Sequence, residues 1–84
     1  MNGMEKHPDW IVVDEHHLER EWSFPDFATA LDFANKVGSI SEAQNHHPEL
    51  EIGWGRVLVR TWSHDIDGLS IRDWNLVREI DRLA

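Results

Sequence analysis

The sequence predicts an α+β domain: a four-stranded antiparallel sheet with two helices packed on one face, in the order β-β-α-β-β-α. Three observations lead there. Runs with period two at Leu18–Phe24 and Leu50–Trp54 read as strands with one buried face. Two stretches, from Pro25 to about Gln44 and from Ser70 onward, repeat apolar residues at three and four, as helices do. Pro25, Pro48 and the Gly53/Gly55 pair separate these runs. Each strand has an apolar side that needs cover, and each helix has one stripe to offer.

Residues 1–9 are polar and read as a short lead-in to a single domain over residues 10–84. Trp10-Ile11-Val12-Val13 is a short β-favouring run, broken by the polar Asp14-Glu15-His16-His17. Leu18, Arg20, Trp22 and Phe24 then alternate with Glu19, Glu21 and Ser23, and the two runs are close enough for a hairpin. Arg20 has to lie at the edge of the buried face, or snorkel. Pro25 suits the first turn of a helix, where its missing N–H costs little. Phe27, Ala30, Leu31, Ala34, Val37, Ile40 and Ala43 form that helix's stripe, widened by Ala28 and Phe33. Gly38 costs about 1 kcal/mol against alanine there. Pro48 forbids further helix and biases His47 toward an extended conformation.

Leu50, Ile52 and Trp54 give a third strand. Arg56 to His64 gives a fourth, with Val57, Val59 and Thr61 on one face and Leu58, Arg60, Trp62 and His64 on the other. Apolar groups on both faces suit a central strand. Ser70 and Asp73 have the spacing of a capping box, and Leu69 and Trp74 that of a hydrophobic staple. Ile71, Trp74, Val77, Ile80 and Leu83 supply the last buried face. The second face of the sheet is left to solvent or a partner.

Composition narrows the function. The chain has 84 residues, five tryptophans, no cysteine and a net charge of −8 with histidines neutral. The charge disfavours nucleic acid and anionic membrane surfaces as partners. The missing cysteines exclude disulfides, thiolate metal sites and cysteine nucleophiles. No apolar run approaches the ~20 residues that span a bilayer. The first six residues lack the apolar core of a signal peptide, so a cytoplasmic protein is expected.

The densest chemistry lies between Glu42 and His64. A hairpin about Gly55 returns His64 toward His46 and His47, which precede the turn by about as many residues as His64 follows it. Glu42 is four residues before His46 and could hydrogen-bond an imidazole. Composition and spacing alone leave two readings open: a catalytic or binding cluster, and surface histidines at strand ends. The spacing is not that of a zinc motif, and no metal or cofactor is expected. His7, His16 and His17 read as solvent-exposed. Asp73 reads as a helix cap.

The spacing Glu42-x3-His46-His47-Pro48, five residues to Trp54, nine to His64 and eight to Asp73 resembles the signature of the pterin-4a-carbinolamine dehydratases. Trp22-Ser23-Phe24-Pro25-Asp26-Phe27 and Gly68-Leu69-Ser70 followed by Asp73 are similar to the family's two helix starts. The likeness runs from about Trp10 to Leu83. It implies dehydration of a 4a-hydroxytetrahydropterin by histidine acid–base chemistry. It assigns catalysis to His46, His64 and His47, with Glu42, Pro48, Ser63 and Trp10 supporting or binding substrate. It implies a homodimer or homotetramer, a pterin substrate and a pterin-dependent aromatic amino acid hydroxylase as pathway partner. Some members of the fold are instead non-catalytic protein-binding modules, but those often lose histidines that this chain keeps. Three departures stand out. Nine residues precede Trp10 where the family usually has a further helix, Ser63 stands for a usual threonine, and Trp62 replaces a small polar residue.

Overall fold

The computed structural model describes residues 7–83. Residues 1–6 of the expected lead-in, and Ala84, lie outside the described residues. The element order is β1 (Ile11–Val13), β2 (His17–Ser23), α1 (Phe27–Gln44), β3 (Glu49–Gly53), β4 (Arg56–Thr61) and α2 (Ile71–Asp81). The sheet is antiparallel, ordered β1-β2-β4-β3, so β4 is central as its two apolar faces predict.

The inner face of the sheet carries Leu18, Val57, Val59 and Thr61, all fully buried. Ala30, Phe33, Ala34 and Val37 of α1 and Leu76, Val77 and Ile80 of α2 close over it. Phe33 lies in the middle of the buried stripe, where the sequence reading put it at the margin. Phe27, Leu31 and Ala43, expected inside, are exposed. Leu58 is 5% exposed although it faces outward. It is paired with Glu21 on one side and Glu51 on the other. Arg56 bridges Glu21 and Glu51, and Arg60 bridges Glu19 and Glu51, which roofs Leu58 with long side chains.

The helix ends decide where the site residues go. Asp26, not Pro25, begins α1: its carboxylate accepts from the Thr29 N–H at 2.8 Å, leaving Pro25 outside the helix. At the other end Asn45 takes a left-handed conformation (φ 53°). The backbone N–H groups of Asn45 and His46 then donate to the carbonyls of Glu42 and Ser41, at 3.2 and 3.1 Å. Ser70 caps α2 with Asp73 in the expected capping box. The strand expected to run to His64 ends at Thr61. Ser63 makes an isolated bridge to Gly68, and residues 64–67 turn.

Trp54 and Gly55 form a two-residue turn between β3 and β4, since Gly53 pairs with Arg56. A Cβ at Gly55 would lie 2.7 Å from the Phe24 carbonyl oxygen. Gly55 in turn accepts from the Phe24 N–H at 2.8 Å. Glycine is therefore required by the close approach of two backbone segments. Gly38 meets nothing within 4 Å of an added Cβ, so it marks no close contact.

Candidate active site

His46, His47 and His64 line one cleft of about 340 Å³, together with Asn45, Asp65 and Arg72. The hairpin explains the meeting. Glu49 pairs with Arg60, and continuing that register past the strand ends brings residues 46 and 47 beside residues 62 and 63. The left-handed Asn45 turns the chain off α1 so that His46 goes inward and His47 outward. His46 is 8% exposed, whereas His47 and His64 are exposed.

His46 donates from Nε2 to Asp73 Oδ1 at 2.7 Å. Asp73 is fully buried, and its two oxygens are fully engaged. Oδ1 also accepts from Thr61 Oγ1 at 2.7 Å, while Oδ2 accepts from Ser63 Oγ at 2.9 Å and the Ser70 N–H at 3.0 Å. A buried carboxylate is costly unless its lone pairs are met, and here four donors meet them. It also sits in the first turn of α2, where the helix dipole favours negative charge. The carboxylate therefore holds the Nε2–H tautomer of His46 and leaves Nδ1 as the nitrogen it does not bind.

The Asp73–His46 pair went unread in the sequence, where Asp73 reads as a cap. It caps and supports a histidine at once. Glu42, expected beside His46, instead accepts from His47 Nε2 in an exposed pair. Ser63 is fully buried between Asp73 and Ser70, with its Oγ 2.6 Å from Ser70 Oγ, and so presents no free hydroxyl. Pro48 lines a separate groove between α1 and β3, with His47, Leu50 and Ile52. Trp10 is not among the residues that line the histidine cleft. It is 2% exposed, packs edge-on against Trp22, and donates from Nε1 to Asp81 at 2.7 Å. At the cleft mouth Arg72 hydrogen-bonds Asp65 at 2.7 Å, and that bond holds the Asp65 carboxyl below the usual aspartate range.

Three histidines expected in solvent are not there. His7 is 9% exposed and meets Asp81. His16 and His17 are half-buried and pack on Trp62. Their aromatic partners are far away in sequence, so no local pattern revealed them. Trp54 is 71% exposed at the hairpin turn, which leaves Trp62 as the tryptophan touching a cleft histidine.

The family profile described as pterin 4 alpha carbinolamine dehydratase matches residues 2–83. The chain belongs to this family. A relative from Rubrobacter xylanophilus, provisionally named a pterin-4-alpha-carbinolamine dehydratase, is 50% identical over 90% of this chain and 71% of its own length. One from Rickettsia bellii with the same name is 44% identical over 89% of this chain and 66% of its own. Among solved structures, a transcriptional coactivator/pterin dehydratase from Brucella melitensis superposes with a TM-score of 0.90 at 28% identity. That match covers 98% of this chain and 88% of the other. A pterin dehydratase-like RuBisCO assembly factor of the alpha-carboxysome shares the fold, with a TM-score of 0.76 at 19% identity over 93% of this chain and 92% of the other. Among the described residues of this dehydratase-family chain, no three His, Asp or Glu side chains group as a metal site. No helix among them is long and apolar enough to cross a membrane.

Proposed function

We propose that the protein dehydrates 4a-hydroxytetrahydropterins to quinonoid dihydropterin and water. The observation that carries this reading is the meeting of His46, His47 and His64 in one cleft, with His46 backed by a buried, fully hydrogen-bonded carboxylate. The reaction breaks the C4a–O bond and removes a proton from a ring nitrogen. Hydroxide leaves poorly, so the departing oxygen needs an acid and the ring nitrogen a base. Imidazoles serve as both near neutral pH.

The Asp73–His46 pair suits the base. His46 Nδ1 takes the ring proton, and Asp73 stabilises the imidazolium that forms, as a buried carboxylate does in a Ser-His-Asp triad. His64 then gives its proton to the leaving hydroxyl, and the water carries it away. The two protons balance, and no external oxidant or metal enters. His47, steadied by Glu42, holds the pterin at the edge of the cleft. Ser63 acts through Asp73 rather than on the substrate. Pro48 directs His47 outward, and Trp10 supports the sheet from the far end of α2.

The same reading places the protein in the cytoplasm, beside a pterin-dependent aromatic amino acid hydroxylase that generates the hydroxypterin. It also makes the protein a homodimer or homotetramer. Phe27, Leu31 and Ile52 are 46%, 40% and 40% exposed, and β3, which carries Ile52, is an edge strand, so a second copy would gain apolar area there. A non-catalytic protein-binding module is the competing reading.

Stopped-flow dehydration of a synthetic 4a-hydroxytetrahydropterin tests the proposal. His46→Ala and His64→Ala should each lower the rate about 10²–10⁴-fold while pterin-analogue binding changes far less. Near-full rates in both variants refute the assignment. A wild-type protein without activity favours the binding-module reading.

A further inference from the structure

The three cleft histidines are held in three different ways. His46 is tied to Asp73 and His47 to Glu42. Neither ring nitrogen of His64 has a hydrogen-bond partner among the described residues. What His64 has is Trp62: the ring centroids are 4.5 Å apart with planes at 67°, an edge-to-face contact.

Trp62 is itself braced from the same end of the sheet, where the Leu18–Thr61 pairing, continued by one residue, sets His17 across from it. The β1–β2 turn, with Asp14 and Glu15 both at φ 54°, brings His16 and His17 onto it. Their centroids lie 5.1 and 5.8 Å from the indole. The two imidazoles meet each other at 3.1 Å, Nδ1 to Nδ1. His16 Nε2 is bonded to Asp67 at 2.8 Å, and His17 Nε2 lies 3.5 Å from Glu19. A continuous stack of rings therefore runs from the β1–β2 turn to the cleft. Asp67 belongs to the 64–67 turn that carries His64, so the same brace reaches that turn by a second route.

The geometry points to Trp62 as a positioning residue: it fixes the His64 imidazole for proton transfer, in the place where the other two histidines use carboxylates. A ring can do this without removing the hydrogen-bonding freedom of either nitrogen, which a proton donor needs during its cycle. The inference rests on the dehydratase reading for its consequence in rate, but not for its geometry.

The test compares Trp62→Leu, which keeps apolar bulk, with Trp62→Phe, which keeps an aromatic ring. Two quantities are measured: steady-state dehydration kinetics and the His64 Hε1 resonance, assigned by its loss in His64→Gln. Trp62→Leu should lower kcat about tenfold with KM changed less than about twofold, since misplacement costs rate rather than binding. It should also remove the ring-current displacement of the His64 resonance. Trp62→Phe should restore most of both. Should Trp62→Leu fail to fold, His16→Gln removes the outer support and should move both quantities in the same direction by a smaller amount. A folded Trp62→Leu with an unmoved His64 resonance overturns the inference whatever its rate. So does a moved resonance with unchanged kcat. Absence of dehydration in the wild type instead refutes the dehydratase reading, and the resonance comparison still decides whether Trp62 holds the ring.

Discussion

The two ends of α2 each carry a carboxylate that gathers partners from distant strands, and they use it differently. Asp73, in the first turn, is fully buried and takes its bonds from uncharged donors and one histidine. Asp81, about 12 Å along the helix by its rise per residue, takes His7, Trp10 Nε1 and Arg20 at 3.0 Å. The helix dipole supports a negative charge at the first position and opposes it at the second, where the Arg20 guanidinium offsets it. The first end sets a carboxylate-bound imidazole in the wall of the cleft. The second closes the β1 side of the core, and neither Asp81 nor the three groups bonded to it line the histidine cleft. A carboxylate–histidine contact alone therefore does not mark chemistry. What distinguishes the site is a carboxylate met by hydroxyls and a backbone N–H as well as its histidine, and two further histidines in the cleft that this histidine lines.

Asp73→Ala should be the most damaging change. It strips the partner from Thr61, Ser63, His46 and the Ser70 N–H together, and should cost about 3–5 kcal/mol, read from urea midpoints. Asp73→Asn separates shape from charge: it should fold better than the alanine variant yet lose most dehydration. A fully active Asp73→Asn would erase the contrast between the helix ends. Asp81→Ala comes next. It leaves Trp10 Nε1 and Arg20 without their acceptor and should cost about 1–3 kcal/mol. Its kcat should stay within about twofold of wild type, because none of its partners among the described residues lines the cleft. Loss of activity without loss of stability would put that end inside the site. Glu42→Gln should be milder still, under about 1 kcal/mol, because its pair with His47 is exposed. A raised KM in the dehydration assay would place its effect on pterin binding.

The smallest effect concerns pH. Glu51 is held below the ordinary glutamate value of 4.5, first by its hydrogen bond to Arg60 and then by the charge of that group. A depressed folded-state value means the contribution is present above pH 4.5 and is lost as pH falls through the lower, folded value. Thermal melts below pH 4.5 should therefore fall more steeply for wild type than for Glu51→Gln. Added salt should narrow the gap, since the pair is solvent-exposed.

Much of this was legible in one dimension. All six elements exist in the expected order, five from their apolar pattern and β1 from its short β-favouring run, with α1 beginning after Pro25 and β4 ending three residues early. The convergence of three histidines followed from counting residues either side of Gly55. What escaped was decided by rotation and by distance. Glu42 met His47 rather than His46 because Asn45 adopts a left-handed turn that spacing does not encode. The burial of Asp73 needed the end of β4 to arrive over the start of α2, and no local pattern contains that meeting. Trp10 was placed at the pocket by family likeness, whereas its indole N–H is bound to the opposite end of α2.

The Trp54-Gly55 turn is separated from the histidines by the six residues of β4, roughly 20 Å of strand. Its exposed tryptophan makes it look like a convenient place to graft an epitope tag. The contact between Gly55 and the Phe24 backbone argues otherwise, because it works as a ruler. A single inserted residue on the β3 side would slide His46 and His47 one step against His64 and turn alternate side chains to the wrong face. A loop change at the quiet end of the molecule would thus be felt as a miscalibration at the other.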